Sequence, residues 1–184
     1  MKKVLAIIVA VIISAATIRL PVKAEDNIAV QYQNLLDNRE TTYEWYQKFV
    51  DTINQLPEEC HPETIDAFFD EDELQLFYRV VAAEIGGKQY SFAQRVNVAS
   101  VIINRWIVSG YPSAEEILTK DQFSTIANGQ IYKVTVTDEV KAACQYALWF
   151  GGDYDGAIFF NNSKCWHGIY EYIGCDGAHH FYRR

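Results

Sequence analysis

Between Asp70 and Gly152 the chain carries a succession of helix-opening and helix-closing signals that leaves little room for anything but a mainly helical domain. Asp70 and Glu73 form a capping pair, and a helix is expected to run to about Ile85, where Gly86-Gly87 stops it. Ser91 to Gln94 is a capping box that opens a second helix to about Val108, with Val96, Ala99, Ile103 and Trp106 recurring at helical spacing. Ser109-Gly110-Tyr111-Pro112 ends it. Ser113 to Glu116 reads as another box before a short helix, and Thr137 can cap a helix from Asp138 to Phe150 that Gly151-Gly152 terminates. Extended signals are few: Ile131 to Val136, after the turn at Asn128-Gly129, and Ala157 to Phe160. The expected class is α+β, mainly α, with a small β element.

Upstream the organisation changes. Met1-Lys2-Lys3 is a basic start, Val4 to Ile18 is an apolar run of 15 residues, and Val22-Lys23-Ala24 places small residues before a cut. That pattern predicts a signal peptide over residues 1–24. The alternative, an uncleaved anchor, faces a run shorter than the ~20 residues needed to cross a bilayer. Residues 25–70 are expected to form a helical N-terminal region, on the loose spacing of Ile28, Tyr32, Leu35, Leu36, Trp45, Phe49 and Ile53, with Pro57 to Pro62 breaking it. The sequence therefore predicts an exported chain with no stable membrane insertion after cleavage.

Charge narrows the partners. Four of the 16 basic residues (Lys2, Lys3, Arg19, Lys23) lie in the signal, which leaves 12 against 24 acidic ones, a net charge near −12. Nucleic acid, which is held chiefly by phosphate neutralisation, is a poor fit. A neutral or mixed-charge polymer is not.

Glu84 is the most informative single residue. Leu74, Phe77 and Val81 form an apolar stripe on its helix, and Glu84 continues that stripe three residues beyond Val81. Loss of water penalises the charged form, and the negative end of the helix dipole, just before Gly86-Gly87, does the same. Both effects raise a carboxyl pKa, and a protonated carboxylic acid is what a glycosidic leaving oxygen requires. The bland alternative is a stripe that ends at Val81, with Glu84 turned to solvent or paired with Arg79 or Arg95.

Cys60, Cys144, Cys165 and Cys175 all lie beyond the signal, so an exported chain permits disulfides, and Cys165 with Cys175 is the expected pair because they bracket a short loop. The crowding of Cys165, His167, Cys175, His179 and His180 also admits zinc, although no standard finger spacing is present. A zinc-dependent peptidoglycan amidase or peptidase is thus a rival reading, as is a Cys144 nucleophile.

From Leu74 onward the chain resembles the cell wall hydrolase family that includes the spore cortex-lytic enzymes. The segment Arg79-Val80-Val81-Ala82-Ala83-Glu84 resembles the family's signature, whose glutamate is catalytic. Val96 to Arg105, ending in Asn104-Arg105, resembles the next helix; Gln122-Phe123-Ser124 with Gly129 resembles its Gln-Phe-Ser segment. Ala157 to Asn161 resembles its aromatic strand, and Ile173-Gly174 followed by His180-Phe181-Tyr182 its closing segment. The chain departs from the pattern at Lys88 and Gln89, where many members carry an acid, and in extra residues between Ile173-Gly174 and the histidines.

The resemblance implies a lysozyme-like catalytic domain over residues 71–184 that cuts peptidoglycan glycan strands between N-acetylmuramic acid and N-acetylglucosamine, with no metal or organic cofactor. Glu84 would be the catalytic acid, in lytic transglycosylase or muramidase chemistry. A catalytically inactive peptidoglycan-binding module is the non-enzymatic alternative. Gln122 and Ser124 would hydrogen-bond acetamido or hydroxyl groups, though Ser124 can equally cap a turn. Phe123, Phe159, Trp166, Tyr170 and Tyr172 offer stacking surfaces or core packing, and Asn161 points into a cleft or ends a turn. His180 and Tyr182 complete the implied substrate-binding set. Ordinary glycosidases use a second carboxylate, and Asp121, Asp153 and Asp176 lie in loop-like sequence with nothing to single one out.

Overall fold

The computed structural model describes residues 26–119, 122–165 and 168–184. The expected signal peptide lies outside the described residues, as do Asp121, Trp166 and His167. The chain separates into two compact units between Glu63 and Thr64.

The first unit is a helical pair, α1 (Asp26–Asp37) and α2 (Tyr43–Ile53). Thr42 caps α2 by accepting the Trp45 N–H at 3.2 Å, which satisfies one of the donors a helix start leaves open. Trp45 and Phe49 are buried and stack at 4.9 Å, and Tyr32 from α1 stacks on Phe49 at 5.5 Å.

The second unit contains α3 (Glu71–Ile85), α4 (Phe92–Val108), the single turns α5 (Ala114–Ile117) and α6 (Ser124–Ala127), and α7 (Asp138–Phe150). Its scaffold is α4. Val96, Val98, Ala99, Val101 and Ile102 are all fully buried, a set too wide for one apolar stripe, so the helix is covered all round. Both α3 and α7 pack on it. The capping signals close as their residue types require. Asp70 accepts the Glu73 N–H at 2.9 Å while Glu73 takes the Asp70 N–H at 3.2 Å. Ser91 and Gln94 do likewise at 3.2 and 2.9 Å, and Thr137 accepts from Val140 at 3.3 Å.

Two local expectations are corrected. The box at Ser113 does not form: its hydroxyl bonds the Glu116 carboxylate at 3.3 Å, and the Ala114 N–H goes instead to Glu73 Oε1 at 2.9 Å. Glu73 thus serves two helix starts, a partnership across 41 residues that a local motif cannot reveal. Ile131 to Val136 is not a strand. Gly129 adopts φ 73°, a 3-10 turn follows over Gln130–Tyr132, and the rest is irregular. The alternation there reflects Ile131 turning into the core and Tyr132 outward, with no strand among the described residues alongside to take its hydrogen bonds.

The sheet comes from the last quarter of the chain: β1 (Phe159–Asn161), β2 (Glu171–Cys175) and β3 (His180–Arg183), antiparallel in the order β1-β3-β2. Phe181 packs with Ala157 on Val101 of α4. Side chains alternate along a strand, so Phe181 faces the helix while His180 and Tyr182 face the other way.

Arg95 joins this scaffold to the loop after α3. Its side chain is only 4% exposed, and it donates to the carbonyls of Gly87 at 3.0 Å and Tyr90 at 2.6 Å and to Glu139 at 3.0 Å. Arg95→Leu strands two carbonyls and a carboxylate. The expected loss is about 3 kcal/mol of unfolding free energy in urea titration, the usual scale for removing one partner of a buried, charged hydrogen-bond set.

Candidate active site

The last turn of α3 delivers Glu84 to the wall of a cleft of about 680 Å³. Three further segments complete the wall. The loop after α3 and the first turn of α4 supply Gln89, Tyr90 and Gln94; the short helix α6 and the turn after it supply Ser124, Thr125 and Gln130; the residues just after β1 and just before β3 supply Asn162 and His179. Each is tied to its neighbours. Gln130 donates to the Ala83 carbonyl at 3.3 Å, and Gln94 donates to the Asp176 carbonyl at 2.9 Å while its oxygen caps α4. Thr125, itself buried, donates its hydroxyl to Glu84 Oε1 at 2.6 Å.

Glu84 is half-buried, and the loss of water pushes its carboxyl above the ordinary glutamate range. The Thr125 hydrogen bond and the positive Arg105 guanidinium pull it partway back. Arg105 in turn is lowered by burial to about 10, against the opposing pull of Tyr170 and Glu84. It nevertheless stays charged at neutral pH. Burial also lowers His179, with Asp176 opposing and His180 adding to the shift, so the imidazole is neutral. His179 is 3% exposed, and its Nδ1 has no hydrogen-bond partner among the described residues. The cleft thus presents an acid that keeps its proton to higher pH than usual, among uncharged donors and acceptors suited to hydroxyl and acetamido groups.

Removing the Thr125 hydroxyl tests that balance. In Thr125→Val the carboxylate loses a donor, so the Glu84 pKa rises further. If Glu84 works as an acid, the alkaline limb of kcat/KM against pH moves to higher pH, with the maximum reduced because the carboxyl is less firmly placed.

The sequence-derived candidates divide. Glu84 and Ser124 line the cleft together. Gln122 lies at a second cavity and accepts from Arg105 Nη1 at 3.3 Å. Phe123, 2% exposed, lies beneath the Arg105 guanidinium at 4.9 Å and offers no surface for a sugar. Asn161 holds Cys165 Sγ at 3.1 Å and the Asn162 N–H at 2.8 Å, and it is Asn162 that reaches the cleft. His180 faces Tyr172 and Cys175 on the far side of β3, leaving His179 at the cleft. Tyr182 is 1% exposed and accepts the Cys165 N–H at 2.9 Å, so it anchors a loop rather than a ligand. Trp166 lies outside the described residues. Thr125, Tyr90, Gln94 and Asn162 were not legible as site residues. The capping role of Gln94 was visible, whereas its position in the cleft depends on the distant Asp176 turn.

The expected Cys165–Cys175 disulfide is not present in the structure. Cys165 is engaged by Asn161, and Cys175 takes the Gly177 N–H at 3.3 Å. Cys144 is fully buried with its thiol pKa pushed up by desolvation, the opposite of an activated nucleophile. Among the described residues no three His, Cys, Asp or Glu side chains converge as a metal site requires. Asp176 receives the N–H groups of Ala178 and His179 within its own turn. Asn97 joins Asp176 at 3.4 Å to Asp153 at 3.5 Å. Among the described residues Glu84 is the one carboxylate lining the cleft.

No protein-family model matches the chain, and no curated protein matches it. Among solved structures, the catalytic domain of the Bacillus cereus SleB protein is similar, with a TM-score of 0.53 and 24% sequence identity over 62% of this chain and 92% of that one. The fold is the mainly helical, lysozyme-like α+β architecture with a small three-stranded sheet.

Proposed function

We propose that residues 71–184 form an extracytoplasmic catalytic domain that cleaves the glycan strands of peptidoglycan between N-acetylmuramic acid and N-acetylglucosamine. One observation carries the reading: a half-buried glutamic acid, raised in pKa by desolvation, set in the wall of an open polar cleft. The motif resemblance to spore cortex-lytic enzymes and the fold shared with the SleB catalytic domain support it.

The chemistry follows from the carboxyl's two states. Protonated Glu84 gives its proton to the glycosidic oxygen as the bond from muramic C1 breaks and the N-acetylglucosamine departs as an alcohol. The resulting carboxylate then accepts a proton from the nucleophile that attacks C1. In a transglycosylase that nucleophile is the muramic acid's own 6-hydroxyl, giving a 1,6-anhydro end; in a muramidase it is water. A second carboxylate would normally position the water or trap the sugar. The cleft offers Glu84 alone among the described residues, which favours the intramolecular route. No helix among the described residues is long and apolar enough to cross a membrane.

Digestion of purified peptidoglycan by the full chain, with mass spectrometry of the new sugar ends, tests this. Anhydro-muramic ends are expected. Reducing ends would move the assignment to a muramidase, and cleavage of peptide or amide bonds alone would overturn it.

A further inference from the structure

Beside the Glu84 cleft, across the segment that carries Gln122 on one side and Ser124 and Thr125 on the other, lies a second cavity of about 520 Å³. Its character is unlike that of the rest of the chain. The protein carries 24 acidic residues, yet this cavity is lined by Arg105 and Arg184 and by no acidic side chain among the described residues. The Arg105 guanidinium is held flat: Nε donates to the Ile158 carbonyl, Nη1 donates to Gln122, Phe123 lies beneath it at 4.9 Å, and Phe159 flanks it at 5.9 Å. Its remaining amino group, Nη2, donates to no described residue. A guanidinium fixed in this way loses little freedom on binding, and its planar fork matches a carboxylate. The Phe159–Tyr170 stack, at 6.0 Å, provides an apolar wall alongside.

We propose that this cavity is a carboxylate-binding subsite, and that its ligand is an acid group on the lactyl-peptide arm of muramic acid. The proposal rests on the functional reading above, which puts a muramic residue beside Glu84, and Arg105 lies close enough to Glu84 for each to shift the other's proton affinity. Two sources share this chemistry: the lactyl carboxylate of a peptide-stripped strand and the carboxylates of an intact stem peptide.

The test compares phosphate-free glycan strands bearing free carboxylates with the same strands after conversion of those groups to methylamides, using wild type and Arg184→Glu. Arg184 is exposed at the cavity rim, so its replacement leaves the core intact. On the acidic strands Arg184→Glu raises KM about tenfold, the scale of a lost charge-assisted hydrogen bond, with most of the loss in KM rather than kcat. On the amidated strands wild type shows the same rise, and the two proteins converge. An equal effect of the substitution on both substrates overturns the proposal, as does an effect confined to walls that still carry phosphate polymers. Full sensitivity on peptide-stripped strands identifies the lactyl group; sensitivity on intact strands alone identifies the stem. Should wild type cut no strand at all, the functional reading fails separately. The subsite is then judged by titrating the full chain with an acidic and an amidated muropeptide and following the Arg105 Nε–H resonance. A shift with the acidic one alone supports it, and no shift or an equal one sinks it.

Discussion

Glu84→Gln is expected to lower the rate of glycan cleavage about a thousandfold, in line with the 10²–10⁴ typical of a general acid, and at the same time to make the domain more stable above neutral pH. The second half follows from the direction of the pKa shift. Desolvation raises the folded-state pKa of Glu84 above that of the unfolded chain, so over the window between the two values the folded protein holds the extra proton. Stability therefore falls as pH rises from the ordinary glutamate value, about 4.3, through the folded one. An uncharged amide escapes that loss and still accepts the Thr125 hydroxyl. Urea titrations at pH 4 and pH 8 read the difference: similar midpoints at the acid pH, and a higher midpoint for the variant at the alkaline one. A variant that retains its activity would remove Glu84 from the chemistry. A variant less stable than wild type at pH 8 would mean that the carboxylate is held by favourable partners and not strained by burial.

A large effect on folding is expected at Gly174→Ala. Gly174 sits where the β2–β3 register shifts, and a Cβ there would lie 2.3 Å from the Tyr154 ring. That ring cannot simply move, because it stacks on the fully buried Phe181 at 4.4 Å with the planes 10° apart. Overpacking of this kind costs about 1–3 kcal/mol, and a lost aromatic pair adds about 1 kcal/mol. A total near 3 kcal/mol lowers Tm by roughly 10 °C in a unit of this size. Thermal melts check it. The double variant Gly174→Ala/Tyr154→Ala removes the obstructing ring, so its loss should be smaller than the two single losses added.

Much of the architecture was legible because it is local. Capping boxes at Asp70 and Ser91 and the glycine stops are decided within a few residues, and the observed helices Glu71–Ile85, Phe92–Val108 and Asp138–Phe150 run between them. Glu84 stood out for the same reason, as a carboxylate three residues along an apolar stripe. What sequence could not supply is the facing of neighbouring residues. The residues at the cleft wall include Asn162 and His179, each one position from the candidates Asn161 and His180. Adjacent strand residues point to opposite faces, and which of a pair faces the cleft is settled by the Asp176–His179 turn and the rung that pairs Asn161, His180 and Cys175. The charge environment of Glu84 was hidden too, since Arg105 and Thr125 meet it only through folding.

Gln94 and Arg105 lie eleven residues apart on one uninterrupted helix whose middle is buried. At about 1.5 Å per residue, their backbones stand roughly 16 Å from each other. One touches the cleft and the other the cationic cavity, so the spacing between whatever the two hollows grip is fixed by helical rise. Loops around the rim are free to lengthen, shorten or drift in composition without altering that measure, whereas inserting a single residue within the rod would rotate one gripping point by about 100° relative to the other.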